Sequence, residues 1–457
     1  MLYIGWRLLA FVVAIGVLVS VHEFGHFWVA RRLGFKVLRF SIGFGRPLLI
    51  WRGRGPDFTE YWLSAIPLGG YVKMLDEREG PVAQVEQHRA FNRRPIWQRI
   101  AVLLAGPAFN FLFAIVAYWV MFSMGVPGTK AVIGAVVEDS VAARAGLEAN
   151  DEIEAVGGRP TTTWEGATLV IYDELLGNGQ IALEIRKPSG AERNIVLDVR
   201  GRSRELTEPA ALYNGLGIRP APAVPAVVGS VTPGSAAETA GLKSGDEVLR
   251  GDGHRIADWE QWVDFIRKRP GQSVTLDIRR GGDTLQVPVT IGSVEENGTT
   301  VGRIGASRPQ IPASAFEALR AEQRYSVLEA LPRGLATTWQ MTSLTLRMLG
   351  HMVVGQVSLK NMSGPIAIAT VAGDAAQAGF RAFFDVLAVL SISLGIINLV
   401  PIPVLDGGQV LYQVLEWIKG SPLSERALAV GQQIGVLFLI VLMSFVFYND
   451  LTRIFGS

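Results

Sequence analysis

His22-Glu23-Phe24-Gly25-His26 interrupts an uncharged, largely apolar run that reaches from Leu8 to Ala30. Such a run is long enough to cross a hydrocarbon layer as one helix. Residues four apart lie on one face of a helix, so His22 and His26 offer two imidazoles to a single metal ion. Glu23 stands beside that face, where it can act as a base toward water. Ionisable side chains at membrane depth are costly and are kept for a function. A cleaved leader is the competing reading, because Arg7 resembles the charged start of one. No small-residue cleavage site follows, however, and a His/Glu cluster has no place in a leader.

Composition bounds the rest. The chain has 457 residues, too many for one ordinary domain. Only 18% are charged, and the mean hydropathy is +0.29, which is apolar for a soluble protein. The formal net charge of +2 gives no reason to expect nucleic-acid binding. With no cysteine there is neither a disulfide framework nor a thiolate metal site. Any zinc must be held by His, Asp or Glu. The only histidines are His22, His26, His88, His254 and His351.

Three further apolar runs match the first in length: Ile100–Val126, Val386–Leu405 and Ala427–Tyr448. Positive loops mark the cytoplasmic side. Arg31, Arg32, Lys36, Arg39, Arg46, Arg52, Arg54, Arg93, Arg94 and Arg99 crowd the first loop, and Lys419 and Arg426 the last. Both loops are therefore expected in the cytoplasm. The termini and the long stretch from Pro127 to about Arg381 fall outside it. The His22/His26 pair then lies near the cytoplasmic end of its helix.

The long exterior stretch is duplicated. Ser140-Val-Ala-Ala-Arg-Ala-Gly-Leu147 matches Ser235-Ala-Ala-Glu-Thr-Ala-Gly-Leu242, and Gly134, Asp151, Gly158 and Trp164 match Gly229, Asp246, Gly253 and Trp259, all at an offset of 95. Alternating runs predict strands at Ile181–Ile185, Asn194–Val199, Val274–Ile278 and Leu285–Val289. The order of motifs resembles bacterial PDZ domains, which bind extended peptides at a sheet edge. The resemblance leaves open whether these copies hold a peptide ligand or only act as spacers and steric filters. From Pro332 to Asn361, apolar residues recur at helical spacing, which predicts an amphipathic helix at the membrane surface.

A catalytic zinc site needs a third protein ligand. His88, His254 and His351 sit in the wrong segments. Asp406 does not: it closes Asn398-Leu-Val-Pro-Ile-Pro-Val-Leu-Asp406-Gly-Gly408, at the end of the third run expected on the cytoplasmic side. Pro401 and Pro403 break the helix there and free backbone groups, which membrane proteins tolerate beside a wet or protein-lined cavity.

HEFGH, the duplicated exterior copies and N-x-x-P-x-P-x-L-D-G-G together resemble the site-2 zinc metalloproteases. Phe40–Gly45, Pro67–Asp76 and Gly106-Pro107-Ala-Phe-Asn110 extend the resemblance over nearly the whole chain. It implies zinc held by His22, His26 and Asp406, with Glu23 as catalytic acid/base and Asn398 on the substrate backbone. It also implies a bacterial inner-membrane protease. Its substrates would be single-pass proteins: an anti-sigma factor already trimmed outside, and remnant signal peptides. Gly106 and Asn110 read as packing residues.

An unwound substrate needs a strand partner. Arg39–Gly45 and Tyr61–Ile66 are expected to form a β-hairpin with an apolar edge, where Gly43 and Gly45 admit the substrate backbone. The fold expected is thus a four-helix membrane protein with a membrane-associated β-hairpin region and two tandem α+β PDZ-like domains. Its parts are the first helix (1–31), a cytoplasmic loop (32–99), the second helix (100–126), the two copies (127–220 and 221–309), a linker with the amphipathic helix (310–380), the third helix (381–408) and the fourth with the C-terminus (409–457). A non-catalytic scaffold gives no use for Glu23. A zinc transporter or sensor gives none for the duplicated copies.

Overall fold

The computed structural model describes residues 2–455 other than 56, 209, 221–224, 257, 297–298 and 310–318. The boundary expected at 220/221 and the linker start expected at 310 lie outside the described residues. Two units emerge, Met1–Val126 with Glu322–Ser457, and Pro127–Ala321.

The first unit holds α1 (Leu2–Arg32), β1 (Val37–Arg52), β2 (Glu60–Met74), α2 (Ile96–Met124), α3 (Val327–Val353), α4 (Pro365–Ala378), α5 (Phe380–Leu399), α6 (Asp406–Lys419) and α7 (Glu425–Phe455). Of these, α1, α2, α5 and α7 are long and apolar enough to cross a membrane. Small residues let α1 and α2 cross closely: a Cβ on Gly25 would lie 2.4 Å from the Ala105 carbonyl oxygen. The amphipathic helix runs over Val327–Val353 rather than 332–361. It opens with a capping box between Ser326 and Glu329 and leaves Leu331, Leu335, Trp339 and Leu346 exposed.

The third apolar run differs from its expected form. α5 stops at Leu399, and residues 400–405 are not helical. Pro401 and Pro403 lack the N–H that would continue it. A separate amphipathic helix, α6, then starts at Asp406. Gly407 and Gly408 allow the tight join, since a Cβ at either would fall 2.3 Å from the Leu399 oxygen or 2.1 Å from the Ile402 oxygen. Asp406 therefore begins a helix rather than ending a span.

The β-hairpin expectation also needs correction. Residues 39–42 pair with 60–63, the two runs advancing together, and also with 70–73 in the opposite sense. Residues 49–52 pair with 63–60. The runs Arg39–Ile42 and Glu60–Leu63 are thus flanked on both sides, and the free edges belong to the stretches around 70–74 and 47–52. Gly43 has φ +89°, and the space a side chain would take is occupied by the Ser64 and Ile66 carbonyls, each 2.9 Å away. The approach it permits is used by the protein's own backbone. Gly45, with φ +82°, is exposed beside Ile66.

In the second unit the duplication appears hydrogen bond by hydrogen bond. Four strands at Arg159–Pro160, Glu152–Val156, Gln180–Arg186 and Glu192–Asp198 lie in the same order as those at His254–Arg255, Glu247–Gly251, Ser273–Arg280 and Asp283–Thr290. Bridges Val132–Glu152 and Val227–Glu247 correspond. Ser140 and Ser235 cap equivalent short helices, and Thr163 and Asp258 cap the next pair. Asp151 and Asp246 are buried, each accepting the N–H three residues before it. Separate apolar cores centre on Ile153, Ile171 and Leu183 and on Val248, Trp262 and Leu276.

Candidate metal centre

One turn of α1 places His22 and His26 on the face turned to α2. Both are 8% exposed. They fit because α2 carries no side chain opposite them: a Cβ on Gly106 would sit 2.3 Å from His26 Nε2 and 2.7 Å from His22 Cε1. The helix break at 400–405 brings the first residue of α6 to the same place. Asp406 Oδ2 lies 3.1 Å from His22 Nε2 and 3.4 Å from His26 Nε2, and the two Nε2 atoms are 3.2 Å apart. Donors about 2.0–2.1 Å from a tetrahedral zinc ion are separated by roughly 3.3 Å. The spacing fits.

The protonation pattern fits as well. His26 Nδ1 is 2.7 Å from the Val102 carbonyl oxygen, which can only accept, so Nδ1 carries a proton, and the ring in its neutral form presents a bare Nε2. Asp406 Oδ2 is buried with no hydrogen-bond donor. Lone pairs thus converge on one point. A proton on one ring would relieve one contact; a divalent cation relieves all of them. His22 Nδ1 meets the Asn110 amide at 3.1 Å. With Nε2 turned to a metal, that Nδ1 carries a proton and needs an acceptor. The atom now facing it is Asn110 Nδ2; turning that amide end for end brings Oδ1, buried without a hydrogen-bond partner, to the proton as its acceptor. Ser391 holds the Asn110 backbone through a 2.9 Å bond from its hydroxyl to the Asn110 carbonyl.

Gly106 and Asn110 therefore do more than pack. Val102, Gly106 and Asn110 recur every fourth residue along α2, a spacing that could have flagged them in the sequence. Glu23 is half-buried on α1 beside Gly70, where a Cβ would lie 2.9 Å from Glu23 Cγ. The run at 70–74, one of the free edges, thus starts against Glu23. Asn398 is half-buried in the last turn of α5, Pro401 is exposed, and Pro403 is half-buried in the following loop.

The model of the Peptidase family M50 matches residues 10–442. The regulator of sigma-E protease RseP of Escherichia coli K12 is 42% identical over 98% of this chain and 99% of its own. A putative zinc metalloprotease of Neisseria meningitidis is 41% identical over 98% and 99%, and one of Vibrio cholerae 40% over the same shares. Among solved structures, a PDZ domain of an SdrC-like protein from Listeria monocytogenes matches 18% of this chain and 84% of that one. At 23% identity and a TM-score of 0.16 it carries no argument about the fold. Family match, full-length identity and a convergent His-His-Asp group agree: the chain belongs to peptidase family M50 and is a zinc metalloprotease of the site-2 type.

Proposed function

We propose that this protease hydrolyses peptide bonds within the transmembrane segments of single-pass proteins, with His22, His26 and Asp406 as its zinc ligands. The observation that carries the reading is the meeting of three donor atoms, 3.1–3.4 Å apart, among helices of membrane-spanning length. When bound, zinc supplies the Lewis acidity that makes water a nucleophile near neutral pH and steadies charge on the carbonyl oxygen. Glu23 takes the proton from water and delivers it to the leaving nitrogen. Val102 and Asn110 keep the imidazoles in the tautomer that turns Nε2 inward.

A transmembrane substrate hides its carbonyls in helical hydrogen bonds and must unwind before attack. The unwound stretch adds as a strand to the free edge at 70–74, because that edge begins beside Glu23. Asn398, Gly45, Pro401 and Pro403 act on the substrate backbone around it. The basic loops support a site toward the cytoplasm, with the two PDZ-like copies on the periplasmic side of an inner membrane. There the copies act as a gate against substrates with large untrimmed exterior domains, or bind a peptide. The likeness to a regulator of sigma-E supports a trimmed anti-sigma factor as substrate. Remnant signal peptides are a second class.

The test is cleavage of a truncated single-pass substrate in liposomes. Glu23→Gln should lower turnover about 10²–10⁴-fold, the usual worth of a general base, while zinc content stays at the wild-type level. A chelator should abolish cleavage and added zinc restore it. Wild-type turnover in Glu23→Gln would overturn the assignment.

A further inference from the structure

Ten residues beyond Asp406, α6 buries a second carboxylate. Glu416 is 8% exposed and its Oε2 accepts a hydrogen bond from Arg99 Nη1 at 3.1 Å; Arg99 is itself only 9% exposed. The other oxygen, Oε1, accepts the Leu423 N–H at 3.2 Å and so fastens the loop that leads to α7. Arg99 lies on α2 on the same stripe as Val102, Gly106 and Asn110. That one stripe therefore touches the imidazoles at one end and grips α6 at the other. At 1.5 Å per residue, Asp406 and Glu416 are about 15 Å apart along α6.

The join before α6 does not by itself fix where the helix lies against α2. Gly407 and Gly408 pack on the carbonyls of Leu399 and Ile402, within the segment that precedes them. Apolar side chains tolerate sliding along a neighbouring helix, whereas a buried ion pair does not. A displaced Arg99 or Glu416 would lose its buried hydrogen-bonded partner, and Arg99 Nε already lacks a hydrogen bond; among the described residues, Asp76 near Arg99 and Arg78 near Glu416 are the other opposite charges acting on the pair.

We propose that Arg99 and Glu416 form a positioning pair that sets the register of α6 against α2, so that Asp406 stands over the imidazoles before the metal arrives. The inference rests on Asp406 being a zinc ligand. The pair touches neither substrate nor metal; it acts through Asp406.

The experiment uses the full chain in detergent or nanodiscs. Zinc affinity is read by competition with a chromogenic chelator, and the α2–α6 distance by paired spin labels on introduced cysteines, since the native chain has none. Glu416→Gln, which keeps the shape and removes the charge, should weaken zinc binding about 10-fold, as loss of ligand support typically does. It should also broaden the metal-free distance distribution, and zinc should narrow it again. Exchanging the charges, Arg99→Glu with Glu416→Arg, should restore affinity to within a few-fold. Wild-type affinity and an unbroadened distance in Glu416→Gln would overturn the proposal, as would a charge exchange that recovers thermal stability but not zinc affinity. Asp406→Ala separates the two readings: if it retains zinc, the ligand assignment fails; if it loses zinc while Glu416→Gln does not, only the positioning pair fails.

Discussion

Asp406 and Asp246 are both shielded carboxylates, one in the helical unit and one in the duplicated unit, and their surroundings are opposite. Asp246 receives Arg280 Nε and Nη2 at 2.7 Å each and the Lys243 N–H at 2.7 Å. Every partner comes from the chain. Asp406 Oδ2 has no hydrogen-bond donor and faces two imidazole nitrogens, His22 Nε2 and His26 Nε2. The first arrangement is complete as folded and acts as a strut. The second is complete only with a cation. Burial alone does not separate the two; the count of donors does.

The sharpest way to break the comparison is Asp406→Ala. Zinc content and cleavage should both fall to background, while the melting of the duplicated unit stays as in the wild type. Metal analysis beside differential scanning calorimetry checks both halves. Gly106→Ala should come next. Its methyl falls 2.3 Å from His26 Nε2, so zinc affinity should drop about 10- to 100-fold, the range found for disturbed ligand support. Equal affinity in chelator competition would show that α2 yields easily.

A third experiment addresses the sheet. With an added oxidant, a single cysteine in place of Tyr71 should form a disulfide with a cysteine placed near the scissile bond of the substrate several-fold more than one in place of Ile42, the native chain having no cysteine to compete. Ile42 is flanked on both sides, by Leu63 and Gly70. Equal yields would remove the edge at 70–74 as the receiving strand.

The smallest effect belongs to Asp246. Burial favours its protonated form, but the Arg280 hydrogen bonds and the Lys243 N–H outweigh this and hold its carboxyl below the ordinary range. The folded state therefore gains stability from Asp246 above the ordinary carboxylate pKa and loses it as the pH falls through the depressed value. Asp246→Asn should make the second copy less stable at neutral pH and flatten its acid dependence. Unfolding followed by the fluorescence of buried Trp262 between pH 7 and 2 measures this.

Much of the site was legible before folding was considered. The grouping of His22 with His26 was legible because helical spacing is a local property, and that of Asp406 because the third run ends in a carboxylate at the depth expected of the pair. The duplication was readable because one offset carries every matched position. The four-residue spacing of Gly106 and Asn110 was readable, but not what it supports, since that role exists only where α1 crosses α2. The sheet register failed for the same reason: alternation marks strands, but it does not say that 39–42 takes partners on both sides. α6 was hidden by Asp406-Gly-Gly, which reads as a stop and proves to be a helix start packed too tightly for side chains.

The helix break at 400–405 has a consequence in time. His22 and Asp406 are joined by a very long stretch of chain, and its closure is among the costliest contacts the protein makes. During synthesis the imidazole pair emerges early and stays without its carboxylate until the duplicated unit and α5 have followed. With the ligand set proposed above, the centre stays split and without cutting capacity until α5 and α6 have followed.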